Sequence, residues 1–215
     1  MRPLIVLRPE PGASRTAARA EAMGLDVRLI PLFTVVPVEW TAPDPAGFDG
    51  LLLTSANAVR HGGEALAKLK TLPVHAVGEA TAALARAAGF TVASIGKGGS
   101  RDMALPEGRR LLHLTGRDHV GAGAAETIAV YEARPIEDPD EVRDLSGCVV
   151  AVHSPRAGQR LAELIGDRAN IAIAAISHSA AEACGTGWAQ VESALQPNDD
   201  ALLALAARLC ESPEP

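Results

Sequence analysis

The feature that most constrains the fold is an internal repeat at an offset of 99 residues. An apolar stretch ends in Thr54-Ser55-Ala56-Asn57-Ala58 in the first copy and in His153-Ser154-Pro155-Arg156-Ala157 in the second. The pattern recurs 23 residues after each serine, as Ala76-Val77-Gly78-Glu79 and as Ala175-Ile176-Ser177-His178. The offset is far longer than one unit of a solenoid, so the repeat indicates two whole domains of one design.

Apolar runs alternate with amphipathic stretches along the chain, which is typical of parallel β-α-β units. Uninterrupted apolar strands such as Ile171–Ile176 indicate burial on both faces, as in doubly wound sheets. We predict that Ser14 caps the first helix, and that Ser55 caps a single helix that extends through Leu69.

Two extended, proline-containing segments interrupt this alternation, at residues 31–40 and 128–136. They bracket the middle block, which predicts that they form a two-stranded connector. Residues 1–33 plus 137–215 then make one discontinuous α/β domain, and residues 38–127 make an inserted α/β domain. The predicted fold is therefore α/β, with two similar doubly wound parallel-sheet domains, a two-stranded connector and a cleft between the domains.

Composition and charge narrow the function classes. The formal net charge of −6 argues against nucleic-acid binding, and no basic tract with interleaved aromatic residues is present. No run reaches the roughly 18 apolar residues of a membrane span, and the apolar stretch near the N-terminus is too short for a signal peptide. Cys148, Cys184 and Cys210 are odd in number and lack metal-ligand spacing, which fits a reduced cytoplasm.

An ordered set of motifs resembles a known family. The chain opens with LRPE, continues with TSANAV and AVGEATA, places its one tyrosine in AVYEA, and ends with HSPRAG and AISHSAA followed by Pro197. In this order and over essentially the whole chain, the set resembles uroporphyrinogen-III synthase.

The resemblance implies two α/β domains and a lyase that closes linear hydroxymethylbilane to uroporphyrinogen III. The reaction loses water and inverts the last pyrrole ring, ring D, and its product feeds haem and cobalamin synthesis. The family implies no cofactor and no metal. We expect a cytoplasmic monomer with a small-molecule substrate, no nucleic-acid or membrane partner, and transient contact with hydroxymethylbilane synthase.

The implied substrate is a polycarboxylate, and helix N-termini with free backbone amides bind anions. The candidate substrate-binding residues are those near predicted strand ends and helix starts. They are Arg8, Ser55, Ala56, Asn57, Gly78, Glu79, Thr115, Gly116, Ser154, Pro155, Arg156, Ser177 and Ser179. Simple helix capping explains Ser55 and Ser154 about as well as ligand binding does.

Two residues are candidate catalytic groups because they match positions of the family pattern. Tyr131 is expected to contact the leaving hydroxyl, although an aromatic that packs the connector is an equally good interpretation. Thr81 takes the position of the family's cleft threonine. The equivalent position in the other domain is Ala180, where a threonine is common, and Ser179 is its candidate replacement.

Other functions remain as alternatives. A non-catalytic two-domain ligand-binding protein that closes around a hinge is one alternative, although the secretory signal usual for such proteins is missing. A regulatory protein of the same fold that has lost activity is compatible with the departure at Ala180. A nucleotide-dependent enzyme is less well supported, because Arg8–Gly12 follows the first strand where a Gly-x-Gly-x-x-Gly motif is expected. His153 and His178 are interpreted as polar lining or surface residues, since no metal-ligand spacing accompanies them.

Overall fold

The computed structural model describes residues 1–96, 108–118, 125–137 and 139–212. The chain divides into two compact units. Unit 1 comprises Met1–Thr34 and Pro135–Pro215, and unit 2 comprises Val35–Arg134. Both units are built on parallel sheets, so the predicted two-domain α/β architecture is confirmed.

The strands of unit 1 are β1 (Leu4–Val6), β2 (Val27–Leu29), β9 (Val149–Val152), β10 (Ala172–Ala175) and β11 (Gln190–Ser193). They form a five-stranded parallel sheet in the order β11-β10-β9-β1-β2. The helices of unit 1 are α1 (Gly12–Ala22), α4 (Pro155–Leu164), α5 (His178–Ala183) and α6 (Asp199–Glu211), with a 3-10 turn at Asp140–Arg143.

The strands of the second sheet are β3 (Phe33–Pro37), β4 (Gly50–Leu53), β5 (Val74–Ala76), β6 (Val92–Ile95), β7 (Leu111–Gly116) and β8 (Ala125–Pro135). They form a six-stranded sheet in the order β3-β8-β7-β4-β5-β6, and unit 2 begins at Val35, within β3. The helices of unit 2 are α2 (Ala56–His61) and α3 (Glu79–Ala87), with 3-10 turns at Pro45–Gly47 and Glu64–Leu69.

The two extended segments of the sequence correspond to β3 and β8. These strands are neighbours at one edge of the six-stranded sheet, where the Val38 N–H donates to the Val130 carbonyl at 3.2 Å. The Ile136 N–H donates to the Leu32 carbonyl at 2.9 Å. The chain therefore leaves and re-enters unit 1 along paired backbone.

Each unit has its own aliphatic core. In unit 1, residues such as Val6 and Ala151 of the sheet pack with Leu202 and Leu209 of α6. In unit 2, Leu53 is among the strand residues that pack with residues of α2 and α3. Because both cores are formed by side chains on helix-covered strands, the loops at the strand ends are left to present polar groups.

Two local predictions were wrong. The first helix begins at Gly12, so Ser14 lies inside this helix and does not cap it. The N–H and the hydroxyl of Ser14 both donate to the Glu10 carboxylate, at 3.1 and 2.6 Å. The single helix predicted from Ser55 through Leu69 is instead α2 followed by a 3-10 turn. Gly63 separates the two, because its φ of +60° is incompatible with a continuing right-handed helix.

Candidate functional site

The predicted site residues lie near the carboxyl ends of strands, or in the first turns of the helices that follow. In parallel α/β sheets ligands bind at this edge, where the strand order reverses direction. The reversal falls between β1 and β9 in unit 1 and between β4 and β7 in unit 2. Each sheet therefore gathers its own group of candidates at one edge.

The turn after β4 places Ser55, Ala56 and Asn57 at the start of α2. Ser55 is the N-cap, as predicted, and its hydroxyl oxygen accepts the Asn57 N–H at 3.2 Å. The Asn57 side-chain oxygen accepts a hydrogen bond from Arg60 at 3.1 Å. This turn is thus held by local hydrogen bonds.

The turn after β5 has no side-chain cap. Gly78 is the N-cap of α3, and a Cβ built on it meets no heavy atom within 4 Å. The N–H groups of Glu79 and Ala80 have no acceptor within the described part of the chain. Thr81, one turn into α3, is 6% exposed, and Glu79 is exposed and paired with Arg86 at 2.8 Å. The N-terminus of α3 therefore offers open amide donors.

Tyr131 of β8 lies across Gly116, the last residue of β7. A Cβ on Gly116 would stand 2.7 Å from Tyr131 Cε2, so this close approach requires a glycine. The tyrosine ring is tilted against His61, with centroids 6.2 Å apart. The ring packs on the core of unit 2, and its hydroxyl has no hydrogen-bond partner in the described ranges. The Tyr131 hydroxyl is therefore available to donate a hydrogen bond beside the carboxyl end of β7.

Buried polar groups lie under the same edge of unit 2. Thr115, 2% exposed, has a buried hydroxyl without a hydrogen-bond partner among the described residues. Beside it in sequence, His113 is fully buried, and its Nε2 lies 3.0 Å from the Thr54 hydroxyl oxygen. The sequence did not indicate the Thr54–His113 contact because it joins residues 59 apart, one just after β4 and one on the neighbouring strand β7.

The turn after β9 in unit 1 is occupied by local contacts. Ser154 caps α4 and accepts the Ala157 N–H at 3.2 Å. Pro155 is the first residue of α4 and has no N–H to offer. The Arg156 guanidinium lies 4.6 Å above the Phe33 ring, a cation–π contact. Arg156 thus makes a packing contact, and its role in binding stays a prediction.

The turn after β10 also carries a side-chain cap. Ser177 accepts the Ala180 N–H at 3.3 Å, and its hydroxyl lies 3.1 Å from that of Ser179. Ala180 is fully buried, and a Cβ on Gly158 of α4 would stand 2.8 Å from its carbonyl oxygen. Ala180 is thus a packing residue between α4 and α5.

Arg8, after β1, belongs to a network that the sequence did not reveal. It donates to Asp199 Oδ1 at 3.0 Å and lies 3.3 Å from the Thr16 hydroxyl, which donates to Asp199 Oδ2 at 2.9 Å. His153, Arg8 and Thr16 together hold the pKa of the Asp199 carboxyl far below its usual range, against the effect of burial. Asp199 is 191 residues from Arg8, so no local pattern indicates the pair.

The described ranges contain neither a metal-binding cluster nor a membrane-spanning helix. No group of three or more histidine, cysteine, aspartate or glutamate side chains there is placed to hold a metal ion. The helices found in those ranges are also too short or too polar to cross a membrane.

The comparison with family models decides the family. The model described as HEM4, uroporphyrinogen-III synthase HemD, matches residues 14–204, which is most of the chain. The chain belongs to the uroporphyrinogen-III synthase family. It is accordingly an enzyme, a cyclising lyase that acts on hydroxymethylbilane in tetrapyrrole biosynthesis.

Solved structures agree with this synthase fold. Uroporphyrinogen-III synthetase from Helicobacter pylori is 19% identical, with a TM-score of 0.69 over 97% of this chain and 100% of that one. A mutant synthase from the extremely thermophilic bacterium Thermus thermophilus is 17% identical, with a TM-score of 0.52 over 98% of this chain and 100% of that one. No curated protein matches the sequence.

Proposed function

We propose that the two carboxyl edges bind the carboxylates of hydroxymethylbilane and that the Tyr131 hydroxyl donates a hydrogen bond to its leaving hydroxyl. The observation that carries this proposal is the Tyr131 hydroxyl, which stands at the edge of unit 2 beside Gly116 without a partner among the described residues. The open amides of Glu79 and Ala80 support the binding role, because such groups attract anions.

The chemistry requires little from the side chains beyond positioning. The pyrrole nitrogen expels the hydroxide, leaving a cationic azafulvene, and Tyr131 stabilises the departing oxygen. The substituted α-carbon of ring D bonds to the azafulvene carbon, and the resulting spiro intermediate fragments and recloses with ring D inverted. The proton lost from the free α-position of ring D and the departed hydroxide together make the released water. Holding one conformation is the main task, because spontaneous closure gives the unrearranged isomer.

The test generates hydroxymethylbilane in situ and resolves the oxidised isomers by chromatography. The wild type should form the type III isomer. Tyr131→Phe should lower kcat by about 10- to 100-fold, the value of a hydrogen bond to a developing charge, and leave KM nearly unchanged. Tyrosine has an unperturbed pKa near 10, so turnover should persist in its absence.

A matched control removes a different hydroxyl from the same sheet. Thr91 is exposed and immediately precedes β6, so it lies at the amino edge, opposite the candidate site. Thr91→Val should keep wild-type kinetics. Type I isomer alone at every wild-type concentration would overturn the proposal, and an unchanged kcat in Tyr131→Phe would remove Tyr131 from it.

We propose a cytoplasmic monomer that uses no cofactor and meets hydroxymethylbilane synthase only transiently. Three buried free cysteines and a net charge of −6 support a reduced compartment and no nucleic-acid partner. Light scattering of the purified chain tests the monomer, and a dimeric mass at micromolar concentration would contradict it.

A further inference from the structure

Unit 1 contains a cavity of about 440 Å³ at its carboxyl edge, next to the point where the strand order reverses between β1 and β9. Three arginines line it, opposed by one aspartate. The lining residues are Arg8, Arg15, Arg19, His153, Ile176, Pro197, Asn198 and Asp199. Its volume falls within the roughly 300–1,000 Å³ of small-molecule sites.

The three arginines differ in how far their charge is balanced. Arg8 and Arg19 lie 3.0 and 3.6 Å from the carboxylate oxygens of Asp199. Arg15 forms no ion pair with the residues that the structure describes. Burial, and to a lesser degree the charge of Arg15, lowers the pKa of the Arg8 guanidinium. An anion in the cavity would relieve this repulsion between two guanidinium groups.

The N-terminus of α6, a helix of 13 residues, opens on the same cavity. The Asn198 side-chain oxygen accepts the Ala201 N–H at 2.9 Å. The N–H groups of Asp199 and Asp200 have no acceptor within the described residues. Both the helix dipole and these two donors favour an anion there.

His153 gives an independent sign of a ligand. Its side chain is 7% exposed and lines the cavity. Its Nε2 lies 3.4 Å from Asp199 Oδ1 without the alignment of a hydrogen bond, and Nδ1 has no partner among the described residues. Buried polar atoms are nearly always satisfied, so the unpartnered Nδ1 points to a missing hydrogen-bond partner.

From these four observations we propose that the cavity binds the carboxylate side chains of one pyrrole ring of the substrate. The proposal rests on the proposed function. Arg15 supplies a positive charge that no carboxylate of the described residues neutralises, and the first N–H groups of α6 supply hydrogen-bond donors. His153, in the wall of the cavity, contacts the bound group. The cavity is a binding site and takes no part in bond making.

The kinetic test uses Arg15→Gln in the full chain, because Arg15 is exposed and its removal leaves the core intact. We expect KM for hydroxymethylbilane to rise by about 3- to 10-fold with kcat unchanged, since an interaction made equally in ground and transition states is lost. The matched control is Arg28→Gln on β2, another exposed arginine of unit 1 that does not line the cavity. It should keep the wild-type KM.

A binding test independent of turnover uses tricarballylate, a small tricarboxylate, with the histidine ring signals followed by NMR. The His153 signal should shift saturably in the wild type and more weakly in Arg15→Gln. His75, buried in unit 2 and hydrogen-bonded to Ser94 at 2.8 Å, serves as the internal reference.

The two tests show whether the carboxylate-binding role of the cavity or the proposed synthase function is wrong. If the wild type makes type III isomer but Arg15→Gln matches Arg28→Gln in KM, and His153 shifts no more than His75, the cavity proposal is overturned alone. If the wild type makes only type I isomer, the proposed function fails, and a saturable His153 shift then supports a carboxylate site with a different ligand.

Discussion

The two copies of the repeat can now be compared as structures: β4-α2-β5-α3 in unit 2 and β9-α4-β10-α5 in unit 1. Their first turns agree, because Ser55 and Ser154 both cap a helix. Their second turns differ. Ser177 caps α5 with its hydroxyl, whereas Gly78 leaves the first turn of α3 without a side-chain cap.

The backbone does not cause this difference. Gly78 has φ −167° and ψ 165°, and Ser177 has φ −155° and ψ 163°, so both are extended N-caps of the same kind. Only the side chain differs. One design therefore yields a helix start with a capping hydroxyl in unit 1 and a start without one in unit 2, while the first two N–H groups after the N-cap have no acceptor among the described residues in either unit.

A second difference lies between the helices. Gly158 and Ala180 allow α4 and α5 to approach closely, and the equivalent residues in unit 2 are Val59 and Thr81. Because Ala180 is fully buried, a threonine there would add atoms to a filled site. The departure from the family pattern at Ala180 thus has a packing reason.

The largest expected effect comes from breaking this close approach with Gly158→Val, which places in unit 1 the residue that unit 2 carries. A Cβ would stand 2.8 Å from the Ala180 carbonyl oxygen and 2.9 Å from Cys184 Sγ, and neither belongs to a flexible side-chain end. We expect the free energy of unfolding to fall by about 3 kcal/mol, measured by urea titration.

The matched change in unit 2 is Val59→Ala, at a half-buried position. It should cost only about 1 kcal/mol, because it removes two methyl groups without a clash. Equal losses for the two variants would mean that the helix pairs are packed alike, which would contradict the comparison.

The next effect concerns Asp199→Asn and its pH dependence. The folded protein holds the pKa of Asp199 below its unfolded value of about 3.9, so the native state binds fewer protons. The carboxylate therefore stabilises the fold above that value, and this contribution is lost as pH falls toward the folded pKa. We expect Asp199→Asn to cost about 2 kcal/mol at pH 7 and progressively less below about pH 5.

Glu79→Gln is the control carboxylate in unit 2, since Glu79 is exposed and its pair with Arg86 is on the surface. It should change stability by less than about 0.5 kcal/mol at any pH. Urea titrations from pH 7 to pH 3 measure the free energy of unfolding of wild type, Asp199→Asn and Glu79→Gln. A constant difference between wild type and Asp199→Asn over this range would show that Asp199 does not carry the acid sensitivity.

Local patterns predicted much of this molecule. The motifs of each repeat copy, the alternation of strands and helices, and the cap at Ser55 each depend on residues close in sequence, and the structure confirms them. Two local features failed for equally local reasons. The first helix begins at Gly12, so Ser14 lies inside its first turn and donates to Glu10, and Gly63 interrupts the helix after α2.

The network around Asp199 shows what sequence cannot supply. Its partners Arg8 and Thr16 lie 191 and 183 residues away in sequence, and the packing of α1 against β1 and α6 brings them to it. The contact of Tyr131 with Gly116 likewise depends on the register between β7 and β8. Residue types indicated these positions, and tertiary packing determined their partners.

The smallest stability effect tests the difference between the N-caps Gly78 and Ser177 most directly. Gly78→Ser gives unit 2 the capping residue of unit 1, and the added Cβ meets no atom within 4 Å. The hydroxyl should accept a first-turn N–H and raise the free energy of unfolding by a few tenths of a kcal/mol, about the usual gain over glycine at an N-cap. The same hydroxyl occupies the open helix start, so KM for hydroxymethylbilane should rise by about 3-fold or more while kcat stays unchanged. Ser177→Gly, the reverse exchange in unit 1, should lose a similar few tenths of a kcal/mol by the same capping argument. A more stable Gly78→Ser variant with wild-type KM would show that the open N-terminus of α3 does not bind substrate.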